Sequence, residues 1–309
     1  MAKEQKTMME TLQEEVHASW NKASSRLAAV LAVLIMVGLP LVFQDYYFNI
    51  LQVKYWYYCG VVIAAAVIYV IMAVIFWNRD RKWCDGALLK GLKSNLSLKS
   101  LTVAEWAMLA FLLASAISTL QSEYVYESFW GNEGRFVGLF MIILYTISFF
   151  IIARKLEFKK WYLDVFLGTG MIVCLIGILH YFEFDPIGFK NDLNYLDYVD
   201  FTSTIGNINT YTSYLALVVG VSTVLFTVEK EAKRKVWYTV CVVISLFALI
   251  TGISDNAYLT LLALLGLLPF VLFNSVRGVR NYVVILAIVC TEFIGIGFTV
   301  DKFPEHVLA

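Results

Sequence analysis

Apolar residues fall in nine stretches, at about 27–43, 59–77, 102–120, 135–153, 162–182, 210–228, 236–252, 257–275 and 282–300. Each approaches the ~20 residues that a helix needs to cross the hydrocarbon core of a bilayer. The pattern predicts an all-α, polytopic membrane protein with about nine transmembrane helices over 27–300. Ahead of them Met8, Leu12, Val16 and Trp20 recur at every fourth position, which predicts an amphipathic leader helix over 1–26 lying on the membrane surface. The first apolar stretch is not a cleaved signal peptide, because Gln44-Asp45-Tyr46-Tyr47 offers no small-residue cleavage site. Tyr and Trp crowd the stretch ends (Tyr46, Tyr47, Trp56, Trp77, Trp161, Trp237), as an interfacial aromatic belt requires.

Charge orients this arrangement. Twenty of the 24 Lys and Arg fall in the leader, in segment 78–101, or in the short segments at 154–161, 229–235 and 276–281. Lys54, Arg135, Lys190 and Lys302 alone fall on the alternate side. Cytoplasmic segments of membrane proteins carry the excess of Lys and Arg, so the N-terminus is expected in the cytoplasm. Segments 121–134, 183–209, 253–256 and 301–309 are then outer, and 78–101 is the long inner loop. Composition agrees with this class: 60% of residues are hydrophobic and 16% charged, against about 25% charged in soluble domains. A formal net charge of zero gives no reason to expect a nucleic-acid partner. The five cysteines lack metal-ligand spacing, and no cofactor or metal is expected.

Candidate chemistry concentrates in three outer segments. The first runs Phe129-Trp130-Gly131-Asn132-Glu133-Gly134-Arg135-Phe136-Val137-Gly138-Leu139. Arg135 can grip a phosphate or diphosphate with its planar fork, or pair with Glu133 and reach the interface. The second runs Ser203-Thr204-Ile205-Gly206-Asn207-Ile208-Asn209-Thr210-Tyr211. Asn207 and Asn209 can cap the helix that follows, whose N-terminal end favours anions. The third, Thr251-Gly252-Ile253-Ser254-Asp255-Asn256-Ala257-Tyr258, reads as a hairpin with Ser254 or Asp255 as N-cap. His180 ends the fifth stretch as a general base or a satisfied interfacial residue. Glu292 lies inside the last stretch, where a carboxylate is costly and a functional suspect. Glu105 and Asp164 sit at inner ends where solvation suffices, and His306 has no visible partner.

At these segments the chain resembles the O-antigen ligase/polymerase superfamily of bacterial membrane glycosyltransferases. Gly134-Arg135-Phe136-Val137-Gly138-Leu139 matches a segment with an Arg followed by Gly-Leu. Ser203-Thr204-Ile205-Gly206-Asn207-Ile208-Asn209 matches Ser/Thr-x-Phe-Gly-Asn-x-Asn, and Gly177-Ile178-Leu179-His180-Tyr181-Phe182 echoes a Gly-Leu-x-Gln-Tyr-Phe-like end. The resemblance covers roughly 130–272. It implies a metal-independent enzyme of the bacterial cytoplasmic (inner) membrane, moving a glycan from an undecaprenyl-diphosphate carrier to a glycan or lipid acceptor. By analogy Arg135 holds the diphosphate, and Glu133, His180, Asn207 and Asn209 shape the substrate site. The catalytic residue itself is unassigned. Two departures stand out. Ser254-Asp255-Asn256 replaces a Ser-Arg-Gly of many relatives, and the large outer loop that carries their catalytic His is expected beyond Ala309, as in an N-terminal fragment or a truncated relative. The competing readings are a transporter or flippase for lipid-linked or small polar substrates, and a non-catalytic relative. Polar residues gathered on one face, with spans otherwise apolar and no internal repeat, favour the glycosyltransferase.

Overall fold

The computed structural model describes residues 2–83, 100–132, 134–191, 193–194 and 197–300. Glu133, His306, segment 301–309 and most of segment 78–101 lie outside the described residues. The chain is mostly helical: α1 (Ala2–Val33), α2 (Ile50–Trp83), α3 (Val103–Leu120), α4 (Val125–Trp130), α5 (Leu139–Lys155), α6 (Trp161–Tyr181), α7 (Ile208–Val228), α8 (Ala232–Thr251), α9 (Asp255–Leu272) and α10 (Val276–Val300). A two-residue hairpin, β1 (Phe201–Thr202) against β2 (Gly206–Asn207), precedes α7. Each of the nine apolar stretches is thus helical. Among the described residues, eight helical spans are long and apolar enough to cross a membrane. The remaining stretch forms α5, whose 17 residues make it one residue shorter than α3 and α9. The chain is a multi-pass, all-α membrane protein by these measures.

It divides into two compact units, 1–39 with 51–159, and 40–50 with 160–309. In the first, α5 packs against α1 and α3. Its core joins Ala28 and Leu31 of α1, Tyr58, Cys59, Val62 and Ala65 of α2, and Met141, Leu144 and Ile151 of α5. The leader is not a separate surface helix: α1 runs unbroken past position 26, and its membrane-length segment already begins at Glu14. Trp20 explains the continuity. It is buried edge-on against Tyr69 and Phe76, with the Lys155 ammonium 5.4 Å above its ring, so at Trp20 the helix is held by packing within the unit. After α1 the chain widens into a π-helical turn at Leu34–Gly38. Pro40 lacks an N–H and disrupts the turn before it. The loosened carbonyls find side-chain donors, Tyr57 Oη to Leu34 O at 3.0 Å and Lys54 Nζ to Leu39 O at 2.7 Å.

In the second unit α6, α7 and α8 form the centre, with α9 and α10 alongside. Leu167, Val173, Leu215, Val218, Leu246 and Leu249 are fully buried there. Close approach of α6 to α7 requires Gly177, because a Cβ at that position would lie 2.0 Å from the Tyr211 hydroxyl oxygen. Elsewhere the helices present exposed apolar side chains, among them Phe111 and Leu113 of α3 and Leu262 and Phe270 of α9. Such bands suit lipid, since a water-facing surface of that extent is rare.

Two carboxylates left to the solvent in the sequence reading are engaged instead. Glu105 closes a capping box with Thr102 at the start of α3 and takes the Arg154 guanidinium. Asp164 accepts the Tyr238 hydroxyl at 2.9 Å. In both cases the partner is 49 or more residues away along the chain, which is why local reading missed it.

Candidate functional site

The Arg135 segment belongs to the first unit. Gly131 ends α4 through its N–H to Glu127 O at 2.7 Å, and Gly138 caps α5. Between them the backbone folds back on itself: Asn132 O accepts the N–H of Arg135 and of Phe136, at 3.1 and 3.0 Å. The two glycines meet so closely that a Cβ on Gly138 would lie 2.4 Å from Gly131 N. The Phe136 ring stacks on Tyr55 at 4.8 Å, and Trp130 packs on Phe140 at 5.1 Å. The loop is therefore pinned at its neck while Arg135, at its tip, is exposed. Arg135 lines an open cleft of about 630 Å³ with Ser122, Tyr124, Glu127, Ser128 and Asn132. Among the described residues no carboxylate lies within ion-pair distance of its guanidinium. Glu133, the expected neighbour, is outside the described residues.

His180, Asn207 and Asn209 belong to the second unit. The imidazole of His180 is buried at the end of α6, 4% exposed. Its Nδ1 accepts the Ser203 N–H at 3.0 Å, and the Tyr47 hydroxyl, 3.4 Å from the same nitrogen, donates to Ser203 O at 2.9 Å. With Nδ1 an acceptor, the neutral ring carries its proton on Nε2, which faces Asp185 Oδ1 at 3.5 Å. Burial opposes ionisation of Asp185. The N–H groups of Lys190, Phe189 and Gly188 and the neighbouring His180 outweigh it, and the carboxyl lies below its ordinary range. Burial, with the Asp185 charge, pushes the Tyr47 phenol well above its usual value, so Tyr47 stays a neutral donor. Ser203 sits at φ +54°, a left-handed conformation costly for a residue with a side chain. Three bonds hold it: those to His180 and from Tyr47, and its own Oγ to Val173 O at 2.7 Å. In this arrangement His180 organises the hairpin, and the nitrogen a general base would use is occupied.

Asn207 is exposed and caps α7, its Oδ1 accepting from the N–H of Asn209 at 3.0 Å and of Thr210 at 3.4 Å. The Asn209 side chain is exposed and makes no hydrogen bond among the described residues, while its carbonyl accepts Ser213 Oγ at 2.7 Å and Asn256 Nδ2 at 3.4 Å. Thr212 and Ser254 hydroxyls meet at 2.9 Å. The second and third polar segments therefore adjoin, with Ser254 rather than Asp255 as the α9 cap. Arg135 falls in the other unit.

Tyr47 and Asp185 were missed by sequence reading. Asp185-Pro186-Ile187-Gly188 carries a turn signal, an aspartate accepting backbone N–H groups beyond a proline. Tyr47 had no signal distinguishing it from its aromatic neighbours. Glu292 is buried on α10, and neither carboxylate oxygen has a hydrogen-bond partner among the described residues. Those residues also hold no group of three or more His, Cys, Asp or Glu side chains able to bind a metal ion. Comparison of the chain with protein-family models, with curated proteins and with solved structures finds no match.

Proposed function

We propose that this chain is a bacterial inner-membrane glycosyltransferase of the O-antigen ligase/polymerase kind, with a cytoplasmic N-terminus and α5 as a ninth crossing. It transfers or polymerises a glycan carried on undecaprenyl diphosphate at the extracytoplasmic face. One observation carries the reading: an exposed arginine without a carboxylate partner among the described residues, set in an open cleft by a loop pinned at its glycine neck. A cation held in that way offers its fork to an anion rather than to the protein itself. In the reaction, an acceptor hydroxyl attacks the anomeric carbon and the bond from that carbon to the diphosphate oxygen breaks. Arg135 steadies the charge that grows on the departing diphosphate. In the second unit, Asn207 and Asn209 form a polar mouth at the start of α7, where the Asn209 amide, which makes no hydrogen bond among the described residues, is open to a sugar hydroxyl.

The test is glycan transfer from a radiolabelled undecaprenyl-diphosphate donor in membrane vesicles bearing the full chain. Arg135→Ala should lower transfer on the order of 100-fold or more, with Arg135→Lys intermediate because a point charge replaces a fork. Full transfer by Arg135→Ala removes the assignment. Movement of the labelled donor across the vesicle without transfer would support the transport reading instead.

A further inference from the structure

Two helices of the second unit begin near one another, and both begin on cations. The first turn of α8 carries Lys233, Arg234 and Lys235, and α10 carries Arg277 in its first turn and Arg280 just after it, with no acidic residue in either first turn. A helix N-terminus carries positive partial charge, so Lys and Arg are disfavoured at it and acidic groups favoured. Glu231, as N-cap residue, sets an acid at the start of α8, but neither it nor Glu229 reaches Lys235, Arg277 or Arg280. Glu229 is engaged by Lys160 and by the N–H groups of Lys230 and Glu231, and Glu231 lies 3.8 Å from Arg234.

Lys235, Arg277 and Arg280 are left with no carboxylate in ion-pair distance among the described residues. The fold nevertheless gathers them. Lys235 Nζ donates to Asn281 Oδ1 at 3.1 Å, and the buried Asn281 amide donates to Thr227 O at 3.2 Å. Arg277 Nη2 donates to Glu229 O at 2.6 Å, while its Nε is buried and has no acceptor among the described residues. Arg280 follows Arg277 by three positions on α10, so the two share a face of the helix, and Arg280 is the chain neighbour of Asn281, which Lys235 holds. A preference for Lys and Arg on one face of the membrane explains their presence at this end of the helices. It does not explain why, among the described residues, none of these three cations has a carboxylate within ion-pair distance.

We propose that Lys235, Arg277 and Arg280 bind a phosphate group, supplied by the headgroup of an acidic membrane phospholipid. Arginine forks and helix N-terminal N–H groups are phosphate-binding elements, and basic sites between membrane helices at headgroup depth take anionic lipids. The bilayer then supplies the anion that these three side chains do not find within ion-pair distance among the described residues.

The experiment is thermal unfolding of the full chain in a neutral, phosphate-free detergent. It is titrated with phosphatidylglycerol, with phosphatidylcholine, and separately with inorganic phosphate. Phosphatidylglycerol should raise the Tm saturably and phosphatidylcholine should not. An equal response to inorganic phosphate would keep the site and assign its ligand to a soluble source. The triple variant Lys235→Gln, Arg277→Gln, Arg280→Gln should lose the response, whereas Lys230→Gln with Lys233→Gln should keep it. Arg280→Gln alone covers the case of a misfolded triple variant. Arg280 is exposed and makes no hydrogen bond among the described residues, and its loss should weaken apparent affinity about tenfold. A wild-type chain indifferent to both phosphatidylglycerol and phosphate, or a control pair that loses the response as fully as the triple variant, overturns the proposal.

Discussion

A single methyl group on Gly138 would collide with the chain it caps. The added carbon would lie 2.4 Å from both Gly131 N and Phe129 O, backbone atoms that cannot turn aside as a side chain would. Gly138→Ala should therefore open the neck of the Arg135 loop and cost about 1–3 kcal/mol. Thermal unfolding in detergent reads the loss, and transfer activity should fall with it. Gly134 is the comparison. Its φ is +84° but a Cβ there meets nothing, so Gly134→Ala should carry only the left-handed penalty of about 1–2 kcal/mol. The two glycines look alike in the sequence. Only the folded loop separates a steric requirement from a conformational one.

Helix ends were more legible than helix partners. Asn207 was expected as a cap or a substrate contact, and its oxygen holds the N–H groups of Asn209 and Thr210. Asn207→Ala should destabilise the start of α7 by about 1 kcal/mol, and Asn207→Asp should not, because the carboxylate also caps. Hydrogen exchange at the Asn209 and Thr210 amides would measure the difference. One predicted boundary shifts at α5, which begins at Leu139 rather than near 135. The closure of Gly131 on Gly138 removes those residues from the helix. The π-helical turn at Leu34–Gly38 depends on Tyr57 and Lys54, donors from another helix, so the first apolar stretch alone could not announce it.

At the scale of the molecule, acid should act through the contact between Lys160 and Glu229 in the second unit. The Lys160 ammonium, together with the N–H groups of Glu231 and Lys230, lowers the Glu229 pKa from an ordinary 4.5 to about 2. A carboxyl with a depressed folded pKa stabilises above its unfolded value and loses that stability as pH falls through the folded one. The Tm in detergent should therefore fall between pH 4.5 and 2 through this group, and Glu229→Gln should flatten that part of the curve. The sequence by itself determined that the chain is a stack of apolar helices, because the length of an apolar run and the periodicity of its residues are local quantities that a bilayer-sized helix reads directly. It also determined which short segments are polar enough to hold chemistry. Tertiary structure alone decided what those segments do. It buried His180 against Ser203 and Tyr47, brought the Asn209 and Asn256 segments into contact, left Arg135 open, and tied Lys235 of α8 to Asn281 of α10. Those outcomes rest on partners tens of residues apart, whose meeting depends on how helices pack and not on any pattern within one of them.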